Sequence, residues 1–99
     1  MSVRLAKLAE RDLASIKAYI SEDDPVAARE VIKRLFESMH RLAANPHAGQ
    51  SRADLRARLR QFTSEGYVIY YYPMKSGIKV SRVLHGKRNQ DEVLRHRRR

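Results

Sequence analysis

The strongest β-strand signal in this chain is the run Tyr67-Val68-Ile69-Tyr70-Tyr71-Tyr72. All six residues are β-branched or aromatic, the types that fit the pleated, half-buried surface of a sheet. We expect Pro73 to end this strand and residues 74–77 to form a turn into a second strand over residues 78–85. A connection this short makes the two strands antiparallel neighbours. Residues 59–62 predict a third strand of the same meander.

Side chains along the run alternate between the two faces of the sheet. One face receives residues 67, 69 and 71, and the other receives residues 68, 70 and 72. At least half of these side chains should therefore lie in the core.

The residues before the meander predict a helical hairpin. Apolar residues at helical spacing indicate a helix over residues 8–22 with a weak start, because Lys7 cannot accept hydrogen bonds from the free amides. Asp24 is a good N-cap and Pro25 a good first residue for a second helix, which should end near Ala44. Residues 3–5 suggest a brief edge strand. The order is then β-α-α-β-β-β, an α+β fold with the helical hairpin packed on one face of a small, largely antiparallel sheet. The other face should be open or partly covered.

Length and composition predict one small domain. We assign residues 1–96 to it and residues 97–99 to a basic tail that we expect to be disordered. The chain has no apolar run long enough to span a membrane, and its first residues lack the apolar core of a signal peptide. It also has no cysteine, so disulfides and thiolate chemistry are excluded. These features lead us to expect a cytoplasmic protein.

Positive charge is concentrated in the second half of the chain. Residues 1–50 carry eight Lys or Arg against seven Asp or Glu, a net charge of +1, whereas residues 51–99 carry thirteen against four, a net charge of +9. Such a field attracts nucleic acid, ribosomes or an acidic protein partner. A purely solubilising surface is the simpler alternative.

The sequence does not predict a metal, cofactor or catalytic centre. The histidines at positions 40, 47, 85 and 96 have no paired ligand spacing, and the four glycines form no phosphate-binding loop. We therefore expect no metal ligands and no cofactor. A metal-free ribonuclease stays possible at this point, because basic residues could stabilise a reacting phosphate while His or Tyr moves protons.

Basic and aromatic residues of the sheet form the candidate functional surface. Arginine forks match phosphate oxygens, and tyrosine rings can stack on bases. Arg82 shares its predicted strand face with Ile78, Val80 and Leu84, so its charge must snorkel, be paired, or follow a bulge. The predicted surface residues are Arg58, Arg60, Tyr71, Arg82, His85, Lys87 and Arg88.

Residues 3–94 resemble toxins of the ParE/RelE superfamily from bacterial toxin–antitoxin modules. The resemblance implies the same fold, and it is strongest for the ParE branch. Four stretches carry it: Ala9…Asp12-Leu13…Ile16…Tyr19-Ile20, Pro25…Ala27-Ala28…Val31-Ile32, Leu59-Arg60…Phe62…Tyr67-Val68-Ile69-Tyr70-Tyr71, and Arg82-Val83-Leu84-His85-Gly86…Arg88.

The two branches imply different activities. RelE-like toxins are ribosome-dependent mRNA endoribonucleases, but the tyrosine that this activity needs is replaced by Leu94 and one arginine by Val68. The ParE branch implies a non-enzymatic type II toxin that inhibits growth and stabilises plasmids. It would bind DNA gyrase, trap the cleaved-DNA complex and be neutralised by a ParD-like antitoxin with an acidic, partly disordered segment. Direct nucleic-acid binding would be secondary. A RelE-like ribonuclease and a non-toxic basic binding protein are the alternatives.

Overall fold

The computed structural model describes residues 1–86 of the chain, which form a five-stranded sheet with two helices on one face. The order of the strands across the sheet is β1-β5-β4-β3-β2. A short 3₁₀ turn, Pro46–Ala48, follows the second helix. The elements are β1 (Ser2–Leu5), α1 (Lys7–Ser21), α2 (Pro25–Ala44), β2 (Gln50–Ser51), β3 (Arg60–Ser64), β4 (Tyr67–Met74) and β5 (Gly77–His85).

The predicted fold class and order of elements are confirmed. The β2–β3, β3–β4 and β4–β5 pairs are antiparallel, and β1 pairs with β5 in parallel at the edge of the sheet. The two-residue strand β2 is an addition that the sequence pattern did not predict. Within residues 1–86, neither helix is long and apolar enough to cross a bilayer.

Both helices begin close to where the sequence predicts. The first helix, α1, begins at Lys7, one residue earlier than predicted. Its N-cap is Ala6, which offers no side-chain acceptor, so the predicted weak start is confirmed. At α2 the Oδ1 atom of Asp24 accepts hydrogen bonds from the amides of Val26 and Ala27, both at 3.0 Å, and Pro25 is the first helical residue. Asp24 thereby ends the hairpin turn and fixes where α2 begins.

The sheet has a core on each face. On the helix side, Ile69 and Tyr71 pack against the apolar stripes of α1 and α2. On the other side, Val68 and Tyr70 pack with Leu84 and with two leucines of the loop between β2 and β3, Leu55 and Leu59. The predicted division of the tyrosine-rich run between two faces is confirmed, and the second face is partly covered.

The prediction that Pro73 ends the strand is wrong. Pro73 is paired with Ile78 and Met74 with Gly77, so β4 continues to Met74 and the turn consists of two residues only. The pairing of β3 with β4 stops at Arg60–Tyr71, so within residues 1–86 Pro73 has a neighbouring strand on one side alone. Its missing amide proton therefore removes no hydrogen bond from a central ladder.

A β-bulge interrupts β5 and changes which face its last residues use. Tyr70 pairs with Arg82, whereas Tyr71 pairs with Val80, so Ser81 is an extra residue in the ladder. Val83 consequently joins the helix-side core and Leu84 the opposite one. The prediction that Leu84 shares a face with Ile78 and Val80 is wrong, because regular alternation does not extend through a bulge.

Candidate functional site

Arg82 is held by α1. Its guanidinium donates two hydrogen bonds to the Asp12 carboxylate, from Nε at 2.7 Å and from Nη2 at 2.9 Å. The Oδ2 atom of Asp12 also accepts the backbone amide of Val83 at 3.0 Å. Both charged side chains are only 13% exposed. Arg82 is therefore paired and lies beside a bulge, two of the situations that the sequence predicted for a charge at this position.

Tyr71 is fully buried, which corrects its assignment to the functional surface. Its hydroxyl donates a hydrogen bond to the carbonyl of Pro46 at 2.7 Å and accepts one from the amide of Gly49 at 2.9 Å. Tyr71 thus joins the segment after α2 to the middle of the sheet. A buried hydroxyl with both partners inside the protein is a structural group.

Arg60, on the neighbouring strand β3, donates hydrogen bonds to the same segment. Its Nη2 atom donates to the carbonyls of Gly49 at 2.7 Å and His47 at 3.2 Å, and its Nε atom donates to Gly49 at 3.1 Å. Both acceptors are neutral, so these bonds orient the half-buried guanidinium without cancelling its charge. Arg60 therefore stabilises the fold and also adds positive charge to the local electrostatic potential.

Arg58 and Arg60 meet in one concavity beside the β4–β5 turn. This space of about 460 Å³ is lined by His47, Arg58, Arg60 and Lys75, together with Pro73 and Met74. Arg58 is exposed, and its Nη2 atom lies 3.5 Å from the carbonyl of Pro73. We call this concavity, with its four basic side chains and two apolar ones, the basic pocket.

His85 lies at the other end of β5, in a different groove. Its ring meets Tyr67 edge-on, with ring centroids 5.4 Å apart. Ile16 and Tyr19 of α1 line the same groove of about 430 Å³, and Tyr19 is 73% exposed. Burial raises the pKa of the Tyr67 hydroxyl above its ordinary value, and the nearby Tyr19 adds to the rise.

The predicted surface residues therefore do not form one site. Arg58 and Arg60 share the basic pocket, and His85 lies in the groove beside Tyr19 and Tyr67. Arg82 is paired with Asp12 of α1, and Tyr71 is buried. The predictions for Lys87, Arg88 and the 97–99 tail lie outside the described residues. No three His, Asp or Glu side chains of residues 1–86 come together in a way that could hold a metal ion.

Sequence reasoning missed several residues of these sites. Lys75 gave no signal beyond its place in a turn, and His47 was considered only as a metal ligand. Asp12 is in the first-helix motif, but its partner is 70 residues away, so spacing could not reveal the pair. Tyr19 could have been identified as a candidate surface residue, because it is a large aromatic residue of α1 that the fold leaves exposed.

The fold and these contacts define a small basic α+β protein, with a helical hairpin on a five-stranded sheet. A family model described as the ParE toxin of the type II toxin–antitoxin system parDE matches residues 3–90, and the chain belongs to this family. The predicted ParE resemblance is confirmed. As a member of the family, the chain is a ParE-type toxin of a type II toxin–antitoxin system.

The known proteins similar to this chain include a curated toxin and a solved structure. Toxin ParE3 of Caulobacter vibrioides is 30% identical over 79 residues, which are 79% of each chain. A solved chain of the chromosomal ParDE TA system from P. aeruginosa superimposes with a TM-score of 0.69, covering 86% of this chain and 95% of that one. This chain and the solved P. aeruginosa chain are 23% identical, so their likeness concerns the fold alone.

Proposed function

We propose that this toxin inhibits DNA gyrase by binding it and trapping the complex in which the DNA is cleaved. A ParD-like antitoxin would neutralise it, and the site of action would be the cytoplasm. Membership of the ParE family gives the class of protein. The choice of a binding mechanism over a catalytic one rests on the state of the candidate side chains.

The observation that supports binding is that three of the candidate side chains, those of Arg60, Tyr71 and Arg82, make hydrogen bonds within the fold. Metal-free cleavage of RNA needs cations at the scissile phosphate and a group that moves a proton. The Arg82 guanidinium faces Asp12, the Arg60 guanidinium donates to backbone carbonyls, and the Tyr71 hydroxyl is buried. None of the three is presented as a catalytic group. We therefore favour a non-enzymatic toxin over the RelE-like ribonuclease.

The experiment that tests the proposal is a supercoiling assay. Purified gyrase, ATP and relaxed plasmid are incubated with increasing amounts of the folded chain, free of antitoxin. We expect supercoiling to fall as the toxin is added and to recover when a ParD-like antitoxin is mixed in first. Full supercoiling at a large excess of folded toxin would contradict the proposal. Cleaved mRNA in a translating extract would then support the ribonuclease, and harmless induction of folded protein would support the non-toxic alternative.

The proposed antitoxin contact has its own physical basis. An acidic, partly disordered segment would fold along the hairpin and onto the basic half of the molecule. The groove between α1 and the end of β5 offers it apolar contacts with Ile16, Tyr19 and Val83. We expect the complex to weaken as salt is added, because its charged contacts are screened. Equal affinity at 50 mM and 500 mM KCl would exclude the electrostatic part of this contact.

A further inference from the structure

The basic pocket gathers positive charge that nothing within the described residues neutralises. Its arginines and lysine come from three segments, the loop before β3, the start of β3 and the β4–β5 turn. Among residues 1–86, no carboxylate lies within 4.0 Å of the charged atoms of Arg58, Arg60 or Lys75. Arg82, by contrast, has its carboxylate at 2.7 Å. Cations that converge without a counterion form a site for an external anion.

The backbone at Arg58 has an uncommon conformation. Its φ is +68°, in the left-handed region that long side chains rarely adopt. Of the other positive-φ positions, 66 and 77 are occupied by glycine, for which this conformation is unstrained, and 65 is occupied by glutamate in the β3–β4 turn. Glycine would also satisfy the backbone at position 58. A long side chain at positive φ is not unique to Arg58, so this conformation supports a site only together with the neighbouring cations of the pocket.

Two further cations lie on the face of the sheet away from the helices. Arg56 and Lys79 line a separate concavity of about 160 Å³ with the half-buried Tyr72. Tyr72 and Lys79 are direct cross-strand partners, and Tyr72 packs with the core on that face. Cations beside an aromatic ring are a pattern of surfaces that bind nucleic acid.

We propose that the basic pocket binds phosphodiester groups of the DNA backbone, without regard to base sequence. An acidic peptide is the less suitable ligand, because a segment that folds on binding must bury apolar side chains. Among residues 1–86, only Pro73 and Met74 contribute apolar surface to this pocket, whereas the groove at the other end of β5 is lined by Ile16, Tyr19 and Val83. The two ends of the sheet would then serve different ligands, phosphate at the β4–β5 turn and protein beside α1.

The test compares three variants that change the net charge equally. Arg58→Gly and Lys75→Ala each remove one cation from the pocket, and Lys33→Ala removes an exposed one from α2. Binding of the full chain to a fluorescein-labelled 20-bp duplex is measured by anisotropy at several KCl concentrations. Gyrase is absent, so the outcome is independent of the proposed target. Circular dichroism checks that each variant is folded, and Arg58→Gly should fold well because glycine accepts the left-handed conformation.

The expected result is a change in the salt dependence. Each lost phosphate contact should reduce the slope of log K against log salt by about 0.9. If the curves converge near 1 M salt, this difference weakens binding about 8-fold at 0.1 M. Arg58→Gly and Lys75→Ala should show this loss on duplexes of unrelated sequence, and Lys33→Ala should keep the wild-type slope.

Two results would overturn the proposal. If the pocket variants and Lys33→Ala have equal slopes, the protein binds DNA through its overall charge and the pocket is not a site. If Arg58→Gly binds DNA like the wild type but loses affinity for a polyglutamate peptide, the pocket is a carboxylate site for a protein partner.

Discussion

Removal of the Asp12 carboxylate should destabilise this protein more than any ordinary surface substitution. Asp12→Ala leaves the Arg82 guanidinium, 13% exposed, without its counterion and the Val83 amide without its acceptor. Loss of one partner from a buried pair costs about 3–5 kcal/mol, and an unsatisfied buried amide about 1–3 kcal/mol. The two effects overlap because one carboxylate serves both groups. We therefore expect the free energy of unfolding to fall by about 3–4 kcal/mol, a large part of the roughly 5–15 kcal/mol of a small domain.

The assay is urea unfolding followed by circular dichroism, with thermal unfolding as a second measure. At roughly 4–8 °C per kcal/mol for a domain of this size, Tm should fall by about 12 °C or more. Asp12→Asn should be intermediate, because its amide oxygen can still accept the Val83 amide. Asp23→Ala, in the exposed hairpin turn, is the matched control and should stay within about 0.5 kcal/mol of the wild type.

A double-mutant cycle separates the pair from its surroundings. Asp12→Ala with Arg82→Ala should be less destabilised than the sum of the single variants by about 2 kcal/mol, because the double variant leaves no unpaired charge. If Asp12→Ala resembles Asp23→Ala and the coupling energy is near zero, the pair behaves as a solvent-exposed one. Arg82 would then be available to a partner, and the structural role given to it here would be refuted.

Three further predictions concern other parts of the fold. Gly49→Ala should lower the free energy of unfolding by about 2 kcal/mol or more in urea titrations, because the added Cβ would overlap the Tyr71 hydroxyl and lie 2.7 Å from the Gln61 carbonyl; an unchanged midpoint would show that the turn is not packed on Tyr71. Asp24→Ala should cost about 1 kcal/mol by the same measurement, since two α2 amides lose their acceptor, and Asp23→Ala is again its control. The folded-state pKa of Tyr67 is raised from 10.0, so the stability that its neutral form contributes should be complete below pH 10 and lost as the pH rises through the folded-state value. Ultraviolet titration of the wild type and of Tyr67→Phe measures this pKa, and a hydroxyl that titrates at or below 10.0 would contradict it.

The predictable part of the fold comes from local patterns. The run from Tyr67 to Tyr72, the Asp24-Pro25 helix start and the two apolar helix stripes each depend on residues close in sequence. Their strands and helices are therefore found close to where the sequence predicts them, although β4 continues past Pro73 to Met74. The bulge at Ser81 could not be predicted in this way, because it depends on how β5 is paired and not on its own composition.

The functional surface was predicted less well than the fold, because its residues were chosen by their type and not by their position in the folded chain. Alternation placed Tyr71 on one face with Ile69 and predicted that at least half of the run lies in the core, but it did not show which residues are buried. Tyr71 was therefore assigned to the surface by its ring and hydroxyl. The pairing of Arg82 could not be predicted, because its partner Asp12 on α1 is distant in sequence. The basic pocket could not be predicted either, because the β4–β5 turn brings Lys75 towards Arg58 only in the folded chain.

Trapping of cleaved DNA is the most direct test of the proposed mechanism. Gyrase, plasmid and ATP are incubated with the folded toxin, treated with detergent and protease, and resolved on an agarose gel. The proposal predicts linear DNA that increases with toxin concentration and is absent when gyrase is omitted. Loss of supercoiling without linear DNA would show that the toxin blocks gyrase without trapping it. If gyrase activity is unchanged and no linear DNA forms, gyrase is not the target of this toxin.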